Sequence, residues 1–199
     1  MNRYESLKEF YSGKKVYITG ITGFKGTWLA LMLNKLGAYV EGVGLPGGTP
    51  TSNLMHIDKF NNINIIYADI IDERIDNPFY ESLKEFNPDV VFHLAAQPLV
   101  SDGYKRPYNT FKTNILGTVI LHELLNKLNK KISLINITTD KVYKAVDKEH
   151  SDVSNGLTEE NVLQGYDPYS LSKSCSDMIS QCYQNALYNQ VITSTMRAG

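Results

Sequence analysis

A chain of 199 residues, 42% hydrophobic and 21% charged, is long enough for one domain with a sizeable core. Twenty basic residues against twenty-one acidic ones, a net charge of −1 and no long run of one sign argue against a phosphate-backbone grip on nucleic acid. No apolar run reaches the roughly 18 residues of a membrane span, and the N-terminal "MNRYESLKEFYSGKK" lacks the apolar core of a secretion signal, so no membrane partner is expected and the expected location is cytoplasmic.

Along the chain, short runs rich in β-branched residues alternate with segments whose apolar positions recur every three and four residues. The heptapeptide "YESLKEF" at Tyr4–Phe10 reads as a helix ahead of a strand, and an identical copy stands at Tyr80–Phe86. Two copies without a third are reuse of one local signal, not a repeat architecture. The first strand, Lys15–Gly20, runs into "TGITGFKGTWLALML", where Gly20, Gly23 and Gly26 are spaced three apart ahead of an apolar helix over Lys25–Leu36. Glycine at such a turn adopts backbone angles that other residues resist. Its missing side chain also lets backbone N–H groups and the helix N-terminus approach a pyrophosphate. Strand before and helix after supply the context that this motif requires, so a dinucleotide is expected here.

The second strand, Ala38–Leu45, puts the position of a ribose-binding acid on Gly44, with Glu41 three residues early, so this stretch does not choose between NAD and NADP. The third, Ile63–Ile70, carries Asp69 at its end, which either accepts from an adenine amino group or makes a turn. There follow a helix over Asn77–Phe86, a strand over Asp89–Ala96, a helix over Tyr108–Asn129, a strand over Ile132–Thr139, a helix over Pro168–Tyr188 and a last strand over Gln190–Arg197. Strands apolar along most of their length and separated by helices predict an α/β fold. The expected form is a Rossmann-type doubly wound parallel sheet of order 3-2-1-4-5-6, one unit over 1–199.

The fifth strand delivers Thr139, Asp140 and Lys141 in consecutive positions, a hydroxyl, an acid and an ammonium. Beyond a patternless stretch from Lys144 to Tyr166, long enough for a substrate lid or a flexible segment, "GYDPYSLSKS" reads as a helix start with Asp167 as N-cap and Pro168 in first position. Tyr169 and Lys173, four apart, share a face. A phenol with a reference pKa of about 10 is a poor base, and a neighbouring ammonium that favours the phenolate makes it a usable acid/base. Cys175 and Cys182 lie seven apart on the same helix, about 10 Å along its axis. That is too far for a disulfide, and reduced packing residues are expected.

The stretches "TGITGFKGTWL", "YADIIDE", "VVFHLAAQPLV", "TNILGTV", "NITTDKVY" and "GYDPYSLSK" cover nearly the whole chain. They resemble the extended short-chain dehydrogenase/reductase family, and within it the CDP-glucose 4,6-dehydratases. The "GFKG" run with Lys25, "AAQPLV" and "TDK" are the more discriminating. The resemblance implies NAD held by Gly20, Gly23, Phe24, Lys25, Gly26, Asp69, Ile70, Leu94, Ala95, Ala96, Gln97, Thr113, Tyr169 and Lys173, with Thr139, Asp140, Lys141, Tyr169 and Lys173 catalytic and no metal. The implied reaction oxidises the hexose at C4 with Tyr169 taking the hydroxyl proton, eliminates water across C5 and C6, and returns the hydride to C6. Asp140 and Lys141 match the elimination positions jointly, and a lysine stands where the related dTDP-glucose enzymes carry glutamate.

Three departures accompany the resemblance. Ser101, Asp102 and Gly103 follow "AAQPLV" where an arginine is usual, and the Lys144–Tyr166 stretch lacks the usual aromatic and Arg-Glu residues. Relatives also continue past "TSTMRAG" into a further substrate domain, so that domain is expected to be largely missing and the chain alone to be weakly active. The family further implies a homodimer through the helices 108–129 and 168–188, and a nucleotide-sugar substrate, CDP-glucose. The rival readings are a nucleotide-sugar 4-epimerase or reductase, which needs no elimination pair, and a non-catalytic NAD-binding remnant.

Overall fold

The computed structural model describes residues 2–47, 62–72, 77–144, 156–187 and 190–199. Six strands, β1 (Lys15–Thr19), β2 (Tyr39–Gly44), β3 (Ile63–Tyr67), β4 (Val90–His93), β5 (Ile132–Thr139) and β6 (Val191–Ala198), form one sheet in the order β3-β2-β1-β4-β5-β6. Every neighbouring pair is parallel, as the unbroken apolar runs and the intervening helices required. Consecutive residues Val16, Tyr17 and Ile18 of β1 are all fully buried, which is possible only for a strand covered on both faces.

The helices are α1 (Arg3–Tyr11), α2 (Phe24–Lys35), α3 (Pro78–Phe86), α4 (Val100–Lys105), α5 (Pro107–Phe111), α6 (Gly117–Lys127) and α7 (Pro168–Cys182). One sheet face packs Tyr17, Val91 and Leu134 against Phe79 and Leu83 of α3 and Leu121 and Leu125 of α6. The other packs Val16, Ile18, Val40 and Phe92 against Ala30 and Leu33 of α2. Capping sets the helix starts: Asn77 accepts from the Phe79 N–H at 3.0 Å, and Asp167 accepts from the Tyr169 and Ser170 N–H groups at 2.9 and 3.1 Å with Pro168 behind it.

Three differences from the sequence-based expectation have local causes. β3 and β4 stop at Tyr67 and His93 because the chain leaves the ladder there to form turns. Asp69 Oδ1 accepts from the Ile71 N–H at 3.2 Å, and the Ala95 N–H goes to the Thr19 side chain. The long helix expected over Tyr108–Asn129 is interrupted by a π-helical turn at Lys112–Leu116, which carries Asn114 toward Gln97 and Ser172, and α4 precedes it. Only part of the stretch from Lys144 to Tyr166 lies among the described residues. There the Lys144 N–H donates to the Val162 carbonyl at 2.8 Å and the Gln164 N–H to the Val142 carbonyl at 2.9 Å, so that this segment folds back on the end of β5.

Candidate active site

The strand order reverses direction between β1 and β4, and the crevice outside the carboxyl ends of these strands is where open α/β sheets bind ligands. Gly20, Leu94–Gln97 and Thr139 all stand at that edge, directly after β1, after β4 and at the end of β5. Gly20 sits at φ +75°, and a Cβ there would lie 2.7 Å from the Ala95 nitrogen. A Cβ on Gly26 would collide with the Gly20 carbonyl oxygen, so that glycine lets α2 close on β1, whereas one on Gly23 would meet only the Gly20 oxygen at 3.3 Å. Gly23 is also the N-cap of α2 and makes no side-chain cap bond, leaving the first-turn N–H groups of a twelve-residue helix without one.

The other residues implied for the cofactor fall into three kinds. Phe24 and Lys25 are exposed on the first turn of α2, open to a ligand. Asp69 spends one carboxylate oxygen on the Ile71 N–H, and the Ile70 side chain is packed against Gly117, so Ile70 can offer a ligand only its backbone. Gln97 is tied into the loop: its Nε2 donates to Thr110 Oγ1 at 2.7 Å and to the Leu99 carbonyl at 3.1 Å, and its Oε1 accepts from the Leu99 N–H. Ala95, Ala96 and Thr113 are half-buried beside it. At Gly44, where an acid was sought, a Cβ would collide with Thr22 Oγ1, and Glu41 is turned away to accept from Asn64 Nδ2 at 2.7 Å. The room that a ribose-binding acid on β2 would take is filled by Thr22.

At the chemical end, Thr139 is buried, Tyr169 and Lys173 reach toward β5 from α7, and Asp140 and Lys141 are exposed. Thr139 Oγ1 donates to Asp140 Oδ1 at 3.0 Å and accepts from the Lys141 N–H at 3.4 Å. Its single proton is thus given to the carboxylate, and the Tyr169 phenol lies close enough for the hydroxyl to influence it. Burial raises the Tyr169 pKa, the Thr139 hydroxyl opposes, and the charges of Asp140 and Asp167 push it further up. The four-residue spacing predicts that Lys173 lowers the pKa of that phenol. The structure instead turns its ammonium to the Ile137 carbonyl at 2.9 Å, and burial pulls the Lys173 pKa down to about 8, helped by Lys25 and opposed by Asp177.

Several residues that shape this edge were not singled out in the sequence. Asn114 accepts from the Gln97 N–H at 2.8 Å and donates to the Gln97 carbonyl at 3.1 Å, clamping both backbone groups of the loop. Asp177, fully buried, accepts from Arg197 Nε at 2.8 Å and Nη2 at 3.1 Å, while Arg197 Nη1 donates to Tyr143 Oη at 3.0 Å, two residues beyond Lys141. Asn114 is a polar residue inside the largely apolar run around Ile115 and Leu116, which is the signal that could have found it, whereas Asp177 stands in a serine-rich helix that gives none.

The model of the family described as GDP-mannose 4,6 dehydratase matches residues 17–197. CDP-glucose 4,6-dehydratase of Salmonella typhimurium is 39% identical over 182 residues, 92% of this chain and 48% of that protein. Among solved structures, an epimerase from Methanothermobacter thermautotrophicus superposes with a TM-score of 0.81 at 21% identity, over 98% of this chain and 54% of the other. A dTDP-glucose 4,6-dehydratase from Streptomyces venezuelae with NAD bound gives 0.73 at 23% identity, over 90% and 54%. The chain thus spans about half the length of each of these relatives.

Proposed function

The chain belongs to the GDP-mannose 4,6-dehydratase family, among the extended short-chain dehydrogenases/reductases, and from that premise we propose that it is the dinucleotide-binding and proton-transfer part of a nucleotide-sugar 4,6-dehydratase, with NAD as cofactor and CDP-glucose as substrate. The cradle supports the cofactor: backbone lines it at Gly20, Gly23 and Gly26, α2 presents an N-terminus without a side-chain cap, and exposed Phe24 and Lys25 flank it. Held there, NAD would supply the hydride acceptance and return that the sugar's oxidation and reduction need. The chain's own residues handle protons and orientation.

In this reading Tyr169 takes the proton of the hexose 4-hydroxyl, and Lys173, one helical turn along, is held on the Ile137 carbonyl at 2.9 Å. The C5 proton, acidified by the new ketone, and the departing 6-hydroxyl fall to Asp140 and Lys141, which are adjacent, exposed and at the open end of β5. The observation that carries the proposal is the end of β5, where buried Thr139 donates to Asp140 Oδ1 at 3.0 Å and accepts from the Lys141 N–H at 3.4 Å, holding an exposed acid and an exposed base side by side. That pair serves an elimination, and epimerisation at C4 does not require it.

The test is incubation of the chain and NAD with CDP-glucose and with its dTDP, GDP and UDP counterparts, read by mass. A product lighter by one water from CDP-glucose, lost in Asp140→Asn, supports the proposal. An isomer of unchanged mass points to an epimerase, and NAD uptake with no product from any sugar nucleotide, even with the remaining half of a relative supplied in trans, to a binding remnant. Exposed Tyr108, Leu116, Leu171 and Met178 on α5, its π-helical turn and α7 also support pairing with a second copy, which sedimentation at micromolar concentration would read.

A further inference from the structure

His93 ends β4, is 1% exposed, and hydrogen-bonds to threonines of β1 and α6 and not to the glycine turn or the proton-transfer residues. Its Nδ1 lies 2.7 Å from Thr19 Oγ1 and its Nε2 3.2 Å from Thr118 Oγ1. Thr19 in turn accepts from the Ala95 N–H at 3.2 Å, just past the point where the β1–β4 ladder stops. Ala95 is the residue whose nitrogen stands closest to the missing Cβ of Gly20.

Proton accounting fixes the direction of this chain. Thr118 gives its proton to the Asn114 carbonyl at 2.8 Å, so the facing Nε2 carries the imidazole proton and donates it to Thr118 Oγ1, which leaves Nδ1 to accept the Thr19 O–H while Thr19 accepts from the Ala95 N–H. Thr118 accepts again from Ser176, 2.8 Å away, which in turn accepts from Asn136 Nδ2 at 3.0 Å. Every donor then has an acceptor, and only this tautomer of a neutral imidazole allows it. Burial keeps the ring neutral, with its pKa pushed down to about 3, the charges of Lys173 and His122 adding to the effect.

We propose that His93 is a positioning residue for the nucleotide cradle: by accepting from Thr19 it fixes the hydroxyl that holds the Ala95 backbone against Gly20, and its donation to Thr118 serves only to keep the imidazole in the tautomer that leaves Nδ1 free to accept. This rests on the reading of the cradle as an NAD site. The two contacts are separable by substitution. His93→Asn keeps an acceptor near Nδ1 and loses the reach to Thr118, His93→Gln keeps a donor near Nε2 and loses the acceptor, and Thr19→Val removes the hydroxyl at nearly constant shape.

The experiment measures NAD dissociation constants by calorimetry for these variants and for Ser180→Ala, which perturbs the same buried network at the far end, with thermal unfolding of each recorded in parallel. Expected are roughly tenfold or weaker binding for Thr19→Val and His93→Gln, and binding within about threefold of the parent chain for His93→Asn and Ser180→Ala. Amide exchange at Leu94–Gln97 without cofactor is measured as well, and should quicken in Thr19→Val and His93→Gln alone. Wild-type affinity and exchange in those two variants overturn the inference. So does a loss in all four that merely follows their unfolding temperatures. Failure of the parent chain to take up NAD refutes the cofactor reading, and the exchange pattern then decides the positioning role by itself.

Discussion

Two helices cover the same face of the sheet in opposite ways. Leu134 and Asn136, two residues apart on β5, point to that face; Leu134 meets the apolar packing shared with Phe79 and Leu83 of α3, and Asn136 meets Ser176 and Ser180 of α7. Under α3 the seam is apolar but for one hydrogen bond, Tyr17 Oη to Ser82 Oγ at 2.6 Å. Under α7 it is polar, with Ser170, Ser172, Ser174, Ser176, Asp177, Ser180 and Lys173 all buried and partnered. An apolar seam tolerates any filling of the right volume, whereas a polar one fixes each side chain to a named partner. The polar seam is the one beside the candidate proton-transfer residues, where orientation matters.

The sharpest way to break the polar seam is Arg197→Met. Asp177, with no solvent to turn to, would lose its charge partner, and removal of one member of a buried pair costs roughly 3–5 kcal/mol. Chemical denaturation of the single variant and of the double variant Asp177→Leu with Arg197→Met should show the double recovering most of the loss. A single variant as stable as the parent would mean that the pair is not desolvated as described. The apolar seam breaks differently: Leu83→Ala should cost about 3 kcal/mol from lost burial and the cavity left, with no rescue by any polar partner.

Acid should separate the two seams without any substitution. Burial holds His93 near 3 and His122 near 4, well below the 6.5 of an unfolded histidine. Between pH 6.5 and about 4 the unfolded chain therefore binds protons that the folded chain refuses, and stability falls as pH falls through that window. Each histidine contributes up to about 1.4 kcal/mol per pH unit, so the drop from pH 6.5 to 5 is on the order of 1–2 kcal/mol per ring. The raised carboxyl of Glu41 works in the opposite direction, so the readout is a difference: His122→Phe, which can still stack on Tyr183, should unfold with a shallower pH slope than the parent chain. Equal slopes would show that His122 is protonated inside the fold.

The apolar parts of this molecule were legible because periodicity reports them. The alternation of elements, the glycine turn and the Asp167 cap all follow from residue type and spacing, and the strand order from the fold family that these resemble. The polar seam was not legible, since a buried serine and an exposed one look alike in sequence; Ser176 and Ser180 are identified only by what Thr118, Asn136 and His122 bring to them from other elements. For the same reason the Tyr169–Lys173 spacing was readable but the turn of Lys173 toward the Ile137 carbonyl was not. Gly44 could be named as the wrong residue for a ribose acid, but the cause, Thr22 filling the space, lies on another element.

The smallest predicted effect comes from a control that the chain itself supplies. "YESLKEF" occurs in α1 and again in α3, and in both places it is helical, so the local signal is equally strong. In α3 Leu83 is fully buried; in α1 the equivalent Leu7 is 41% exposed and no residue of the helix is buried. Identical neighbours remove helix propensity as a variable, leaving burial alone to set the cost. Leu7→Ala should therefore change stability by no more than about 0.5 kcal/mol while Leu83→Ala costs several times that, measured under one denaturation protocol. A cost at Leu7 approaching that at Leu83 would mean that α1 is covered in solution by a surface outside this chain, and a concentration dependence of the loss would identify that surface as a second copy.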